Sequence, residues 1–210
     1  MFDAEQSIHA LSPQELEEAK NLFAETLTAR EVQYLSYSTL AFKAGTRFML
    51  HLWGPAPEDI QLLVRDLLHT PLGKHLRITH TLFGMTRSSQ YNPGHAPKES
   101  VPEAPHKYLV VYPFTKTIEW HLLPYDERRN MMKDHVAVGR KFSESISQQL
   151  LYAFGVDDHE FIVSYQMNSL EEFQTLVMEL RGTEARRYTL NDLPIFTGVH
   201  MPILEALNTL

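Results

Sequence analysis

Two segments of this chain repeat each other at a fixed spacing. Residues 47–75, RFMLHLWGPAPEDIQLLVRDLLHTPLGKH, align without a gap to residues 160–188, EFIVSYQMNSLEEFQTLVMELRGTEARRY. Seven of the 29 pairs are identical, among them Phe48/Phe161, Gln61/Gln174, Leu63/Leu176 and Leu67/Leu180. Each copy opens with a short strand-like run, FMLHL or FIVSY, and passes through a polar turn into a helical pattern. Apolar residues fall at i, i+3, i+4 and i+7: Ile60, Leu63, Val64 and Leu67 in one copy, Phe173, Leu176, Val177 and Leu180 in the other. That spacing gives one apolar helix face. Glu58-Asp59 and Glu171-Glu172 place negative charge at the helix N-termini, where the macrodipole favours it. A helix face of this kind must bury against something, and a strand beside it supplies a sheet. The repeat therefore constrains the chain to two similar α+β units.

Further strand-like runs flank both copies. VQYLSYSTLAFK (32–43) precedes the first and ITHTLFGMTR (78–87) follows it, while KYLVVYPF (107–114) and QQLLYAF (148–154) precede the second. Two ferredoxin-like halves account for this pattern. The halves are expected at 1–90, with a leading helix, and at 108–210, joined by a linker over 91–107. The stretch 88–107 carries four prolines and no periodicity. The leading helix runs from about Ser12 to Thr28, with Ser12 as N-cap, Pro13 at the first helical position and Glu15 completing a capping box.

Composition narrows the function. With 43% hydrophobic and 21% charged residues the chain reads as a globular protein, and no run approaches the roughly 18 apolar residues of a membrane helix. The net charge is −7 and basic residues do not cluster, which argues against a nucleic-acid or anionic-membrane partner. The acidic N-terminal stretch lacks a signal-peptide pattern, so a cytoplasmic protein is expected. The absence of cysteine excludes disulfides, thiolate nucleophiles and thiolate-ligated metals. Metal chemistry would have to use the 11 histidines, the carboxylates or a borrowed cofactor.

One histidine is placed for that. In NMMKDHVAVGRKF (130–142), Met132, His135, Val136 and Gly139 share one helix face. Spacing alone leaves His135 either a core residue or a ligand. The motifs around it decide more: MMKDHVAVGRKF, then FGVDDHEF, then ELRGTEARRYT, in this order. Together they resemble the chlorite dismutase-like superfamily of haem proteins, over about residues 40–198. This group includes chlorite dismutases and peroxide-dependent coproheme decarboxylases. The resemblance implies the dimeric α+β barrel, built from two ferredoxin-like repeats in one chain.

It also implies roles. His135 would be the proximal iron ligand, with Glu184 accepting its second N–H and Trp120 beside it. Gly139 would let the helix approach a flat macrocycle. Above the open iron face, chlorite dismutases carry an arginine seven residues before the glycine of FGVDD, where this chain has Gln148. A neutral amide does not hold an anion as a guanidinium does, and coproheme decarboxylases resemble this chain there. Their tyrosine in a YPxxK stretch corresponds to Tyr112 of YPFTK, with Lys116 nearby to hold a propionate carboxylate. Arg140 and Arg187, and after them Lys141 and Arg186, match cations that would meet propionates.

The reading these residues imply is peroxide-dependent decarboxylation of iron coproporphyrin III to haem b, with porphyrin and hydrogen peroxide as partners. The alternatives are a haem b protein with chlorite or peroxidase activity, or a non-catalytic haem-binding protein. The short framing around Lys116 to Trp120 resembles the shorter chlorite dismutase branch, which leaves a homo-oligomer as either pentamer or dimer. GVDDHE (155–160) groups Asp157, Asp158, His159 and Glu160, but between two apolar strands it reads as a turn rather than a metal site.

Overall fold

The sequence repeat is a repeat of structure. A computed structural model of the chain describes residues 1–91, 102 and 104–210. In chain order its first elements are β1 (Phe2–Ala4), α1 (Pro13–Leu27), β2 (Gln33–Ser38), β3 (Phe48–Trp53), α2 (Pro57–His69) and β4 (Leu76–Ile78). There follow β5 (Tyr108–Lys116), α3 (Ile118–Leu122), α4 (Tyr125–Arg140), β6 (Ile146–Tyr152), β7 (Phe161–Met167), α5 (Leu170–Arg181) and β8 (Thr189–Asn191). The chain ends with β9 (Phe196–His200) and α6 (Ile203–Leu207).

Each half is a βαββαβ unit with antiparallel strands, in the order β4-β1-β3-β2 in the first and β8-β5-β7-β6 in the second. That is the ferredoxin-like arrangement. The spacing of 113 residues seen in the sequence carries from β3 to β7 (Phe48, Phe161), from α2 to α5 (Pro57, Leu170) and from β4 to β8 (Leu76, Thr189).

The first unit takes Met1–Thr81 and Gly198–Leu210. Its helices cover one sheet face around Phe23 and Leu27 of α1, Leu63 and Leu67 of α2, and Phe48 of β3, all fully buried. The Phe2 and Phe48 rings stack at 4.9 Å. The capping box forms as expected: Ser12 Oγ accepts from the Glu15 N–H, and Glu15 Oε2 accepts from the Ser12 N–H at 2.8 Å.

The second unit takes His106–Thr197 and the stretch beginning at Leu82. Here α4 begins after Pro124 with Asp126 and Glu127 in its first turn. The 155–160 segment turns at Gly155, φ 72°, and Asp157 is engaged locally, accepting N–H groups from Phe83 at 2.8 Å and Asp158 at 2.6 Å.

Three expectations change. Residues 198–210 pack with the first unit, not the second, because Ile203, Ala206 and Leu207 bury into the α1 core. The extended run 78–87 is not a strand beyond Ile78, and its residues from Leu82 on belong with the second unit, where Met85 forms a single bridge to Tyr152. Of the expected 91–107 linker, residues 92–101 and 103 lie outside the described residues. No helix among the described residues is long and apolar enough to cross a membrane.

Candidate functional site

The two units treat the space between sheet and helices differently. In the first, Phe23 and Leu27 of α1 fill it. In the second, α4 buries no residue completely, and a cavity of about 640 Å³ opens between β5, β6, β7, α4 and α5. That volume lies in the range of small-molecule and cofactor sites.

Alternation along the strands aims Tyr112, Phe114 and Lys116 of β5 at the cavity, all at even positions. Across the sheet, Gln148 pairs with Tyr165 and Leu150 pairs with Val163, which in turn pairs with Tyr112. From α4 come Met132, His135, Val136 and Gly139, the face marked by sequence spacing. From α5 come Leu176, Val177 and Leu180. The repeat shows what changed: Tyr165 stands where the first unit has Leu52, and Gln148 stands opposite it where Tyr34 stands opposite Leu52.

Charge is unevenly distributed. Arg87, Lys116, Arg140, Arg181 and Arg186 line the cavity against two carboxylates, Glu144 and Asp192. Such a wall suits a ligand carrying several carboxylates. Asp192 Oδ2 accepts from Arg186 Nη1 at 2.7 Å and from Arg181 Nη2 at 3.2 Å. Lys116 Nζ donates to the Ala185 carbonyl at 3.1 Å and sits 4.5 Å from the centroid of the Trp120 ring. Burial, helped by the Arg186 charge, lowers its pKa to about 8.

His135 is held neutral. Burial, with the nearby Lys116 charge, lowers its pKa to about 4, and its Nδ1 is buried without a hydrogen-bond partner. A neutral imidazole on a cavity wall has a nitrogen lone pair to give a metal. Gly139 adds to this: a Cβ built there would meet nothing within 4 Å. Protein packing does not require glycine at this position, so the room it leaves belongs to the cavity. Both features fit a flat, iron-bearing ligand laid against α4. Burial also pushes the Tyr112 phenol above its ordinary pKa, keeping it protonated, and its ring lies 6.1 Å from that of Tyr165.

Of the residues singled out in the sequence, Tyr112, Lys116, His135, Gly139, Arg140, Gln148 and Arg186 line this one cavity. Glu184 and Arg187 do not. They pair with each other at 2.9 Å and are well exposed, with Glu184 at 64%. They sit three apart in the 3₁₀ turn Glu184–Tyr188, so they share its outer face, while Ala185 and Arg186 face inward. The expected Glu184–His135 contact is therefore corrected: the His135 Nδ1 is unpartnered. Trp120 is buried beneath Lys116 rather than lining the cavity, and Lys141 pairs outside with Glu179 at 2.7 Å. Sequence reasoning missed Tyr165, Arg181 and Asp192. The repeat could have flagged Tyr165 and Arg181, since both replace leucines, Leu52 and Leu68.

Comparison with known proteins identifies the family and the fold. The chlorite dismutase family model matches residues 13–201. A coproheme decarboxylase of Mycolicibacterium smegmatis is 30% identical over 168 residues, covering 80% of this chain and 72% of that protein. One from Staphylococcus carnosus is 31% identical over 140 residues, covering 64% of this chain and 55% of that protein. A solved double mutant of the chlorite dismutase of Candidatus Nitrospira defluvii superposes with a TM-score of 0.87 over 99% of this chain and 91% of its own, at 23% identity, and so shares the fold. The chain belongs to the chlorite dismutase family.

Proposed function

We propose that this chain is a coproheme decarboxylase, converting two propionates of iron coproporphyrin III to vinyl groups with hydrogen peroxide as oxidant. One observation carries the reading. A redox-capable tyrosine and a neutral glutamine, Tyr112 and Gln148, share a cavity with neutral His135 and five cations. The relatives named coproheme decarboxylase, at about 30% identity, support it.

The substrate's iron, together with peroxide, supplies the oxidising power. Each propionate loses CO₂ and the equivalent of a hydride, and peroxide with one added proton leaves as two waters. The protein's part is orientation and hydrogen transfer. His135 offers its nitrogen to the iron. Arg140 and the other cavity cations receive carboxylates, and Lys116, protonated at neutral pH, holds the one nearest Tyr112. The Tyr112 phenol, kept protonated by burial, gives up an electron and a proton, then regains hydrogen from the propionate β-carbon. Chlorite chemistry is disfavoured because Gln148 brings no charge to hold an anion over the iron.

Tyr112→Phe tests the assignment. The variant should bind coproheme as tightly as the unaltered chain and form no vinyl product when peroxide is added. Turnover near the unaltered rate would remove Tyr112 from the reaction.

A further inference from the structure

Asp192 is a carboxylate in a cavity otherwise built to receive carboxylates. It follows β8, the strand held to β5 at Thr115 and Lys116, and it lines the cavity with Arg181 and Arg186. Arg181 ends α5 and Arg186 lies in the following 3₁₀ turn, so one side chain gathers three consecutive elements. Both guanidiniums reach the same oxygen, Oδ2, at 3.2 and 2.7 Å. Two like charges brought this close repel unless an anion lies between them. A guanidinium has five N–H donors in a fixed fork, so pairing through one nitrogen leaves the others for a second acceptor.

The cluster shares the cavity with Tyr112, whose phenol feels the charges of Asp192, Arg181 and Arg186. It also accompanies the cavity and not the fold. At the same spacing the first repeat carries Thr79, Gly73 and Leu68, and there the space is filled. An ion cluster serving only to close a ferredoxin-like unit would have a use in both halves.

We propose that Asp192 is a positioning residue: its Oδ2 converges Arg181 and Arg186 at the Tyr112 end of the cavity, so that their remaining donors form one receptor for a substrate carboxylate. This rests on the proposed decarboxylase reading. The carboxylate received there, together with Lys116, is that of the propionate whose β-carbon must meet Tyr112, and fixing it is worth rate as well as affinity.

A double-mutant cycle on binding tests this without using turnover. The probe is iron-free coproporphyrin, followed by its fluorescence on the full chain, with Asp192→Asn, Arg186→Gln and the double variant. In the unaltered background Arg186→Gln should weaken binding about tenfold, the equivalent of one charge-assisted hydrogen bond. In the Asp192→Asn background the same change should cost roughly threefold or less, because an unpositioned guanidinium contributes little. Asp192→Glu, which keeps the charge, should restore part of the coupling. Effects that simply multiply would overturn the role of Asp192, because distant, independent sites add in free energy. Binding with the expected coupling, but no vinyl product when the unaltered chain is given iron coproporphyrin and peroxide, would sink the decarboxylase reading alone. Failure of the unaltered chain to bind coproporphyrin would sink both.

Discussion

Gly139→Ala separates what is good for the fold from what is good for the cavity. Gly139 lies in the last turn of α4 and is not among the glycines with positive φ, so alanine fits its backbone. The new Cβ would meet no atom within 4 Å outside the adjoining backbone of its own helix. Relative to alanine, glycine within a helix costs about 0.5–1 kcal/mol, through the freedom it loses on folding. The ligand-free variant should therefore be more stable by about 0.5 kcal/mol or slightly more, the lower figure suiting a last-turn position. For a chain of this length that raises Tm by roughly 1–2 °C. The methyl projects into the space where a flat ligand would meet α4, and overpacking of that kind typically costs about 1–3 kcal/mol. Porphyrin affinity should then fall about tenfold or more. Differential scanning calorimetry of the ligand-free chain and a fluorescence titration with iron-free coproporphyrin read the two effects. A variant that is stabilised yet binds porphyrin undiminished would refute the placement of the ligand against Gly139. A destabilised variant would refute the packing argument.

Other substitutions probe the same division. Val136→Phe gives the second unit the aromatic bulk that Phe23 gives the first, and should raise the ligand-free Tm by a few degrees while abolishing porphyrin binding; retained binding would show that the ligand lies elsewhere. His51 is buried with its pKa lowered to about 3, and unfolding returns it to an ordinary value near 6.5. The unfolded chain thus binds the extra proton between these values, so stability should rise with pH from about 3 to 6.5 and be complete above that. His51→Leu should flatten the slope of unfolding free energy against pH in that window by up to about 1.4 kcal/mol per pH unit, and an unchanged slope would contradict it. Ser12→Ala removes the side chain that closes the capping box and should cost about 1 kcal/mol, seen as a loss of roughly 2–4 °C in Tm with porphyrin binding untouched.

What the sequence disclosed followed from periodicity. Helix faces repeat every three or four residues and strands every two, so Leu63 with Leu67, Leu176 with Leu180, and His135 with Gly139 could be placed on faces before any coordinates. The same spacing, carried past the aligned segments, relates β4 to β8, which the sequence reading did not reach. Periodicity does not report partners, however. Beyond Ile78 the run to 87 has the composition of a strand but finds only the Met85–Tyr152 bridge, and backbone pairing is a tertiary fact. Glu184 and Arg187 were misplaced for a different reason. The turn that carries them is a 3₁₀ helix, whose residues eclipse every three positions, and that short period sends both outward and Arg186 inward. Asp192 lies in an aperiodic segment, so nothing in its surroundings announced that it would join Arg181 and Arg186.

The central claim is that this cavity removes two propionates from an iron porphyrin. Its most direct test is to reconstitute the purified chain with iron coproporphyrin III, titrate hydrogen peroxide, and follow the porphyrin mass by liquid chromatography–mass spectrometry. The account predicts two successive losses, each of one CO₂ and two hydrogens, through a one-vinyl intermediate to haem b. Coproporphyrin that stays bound and only bleaches would contradict it.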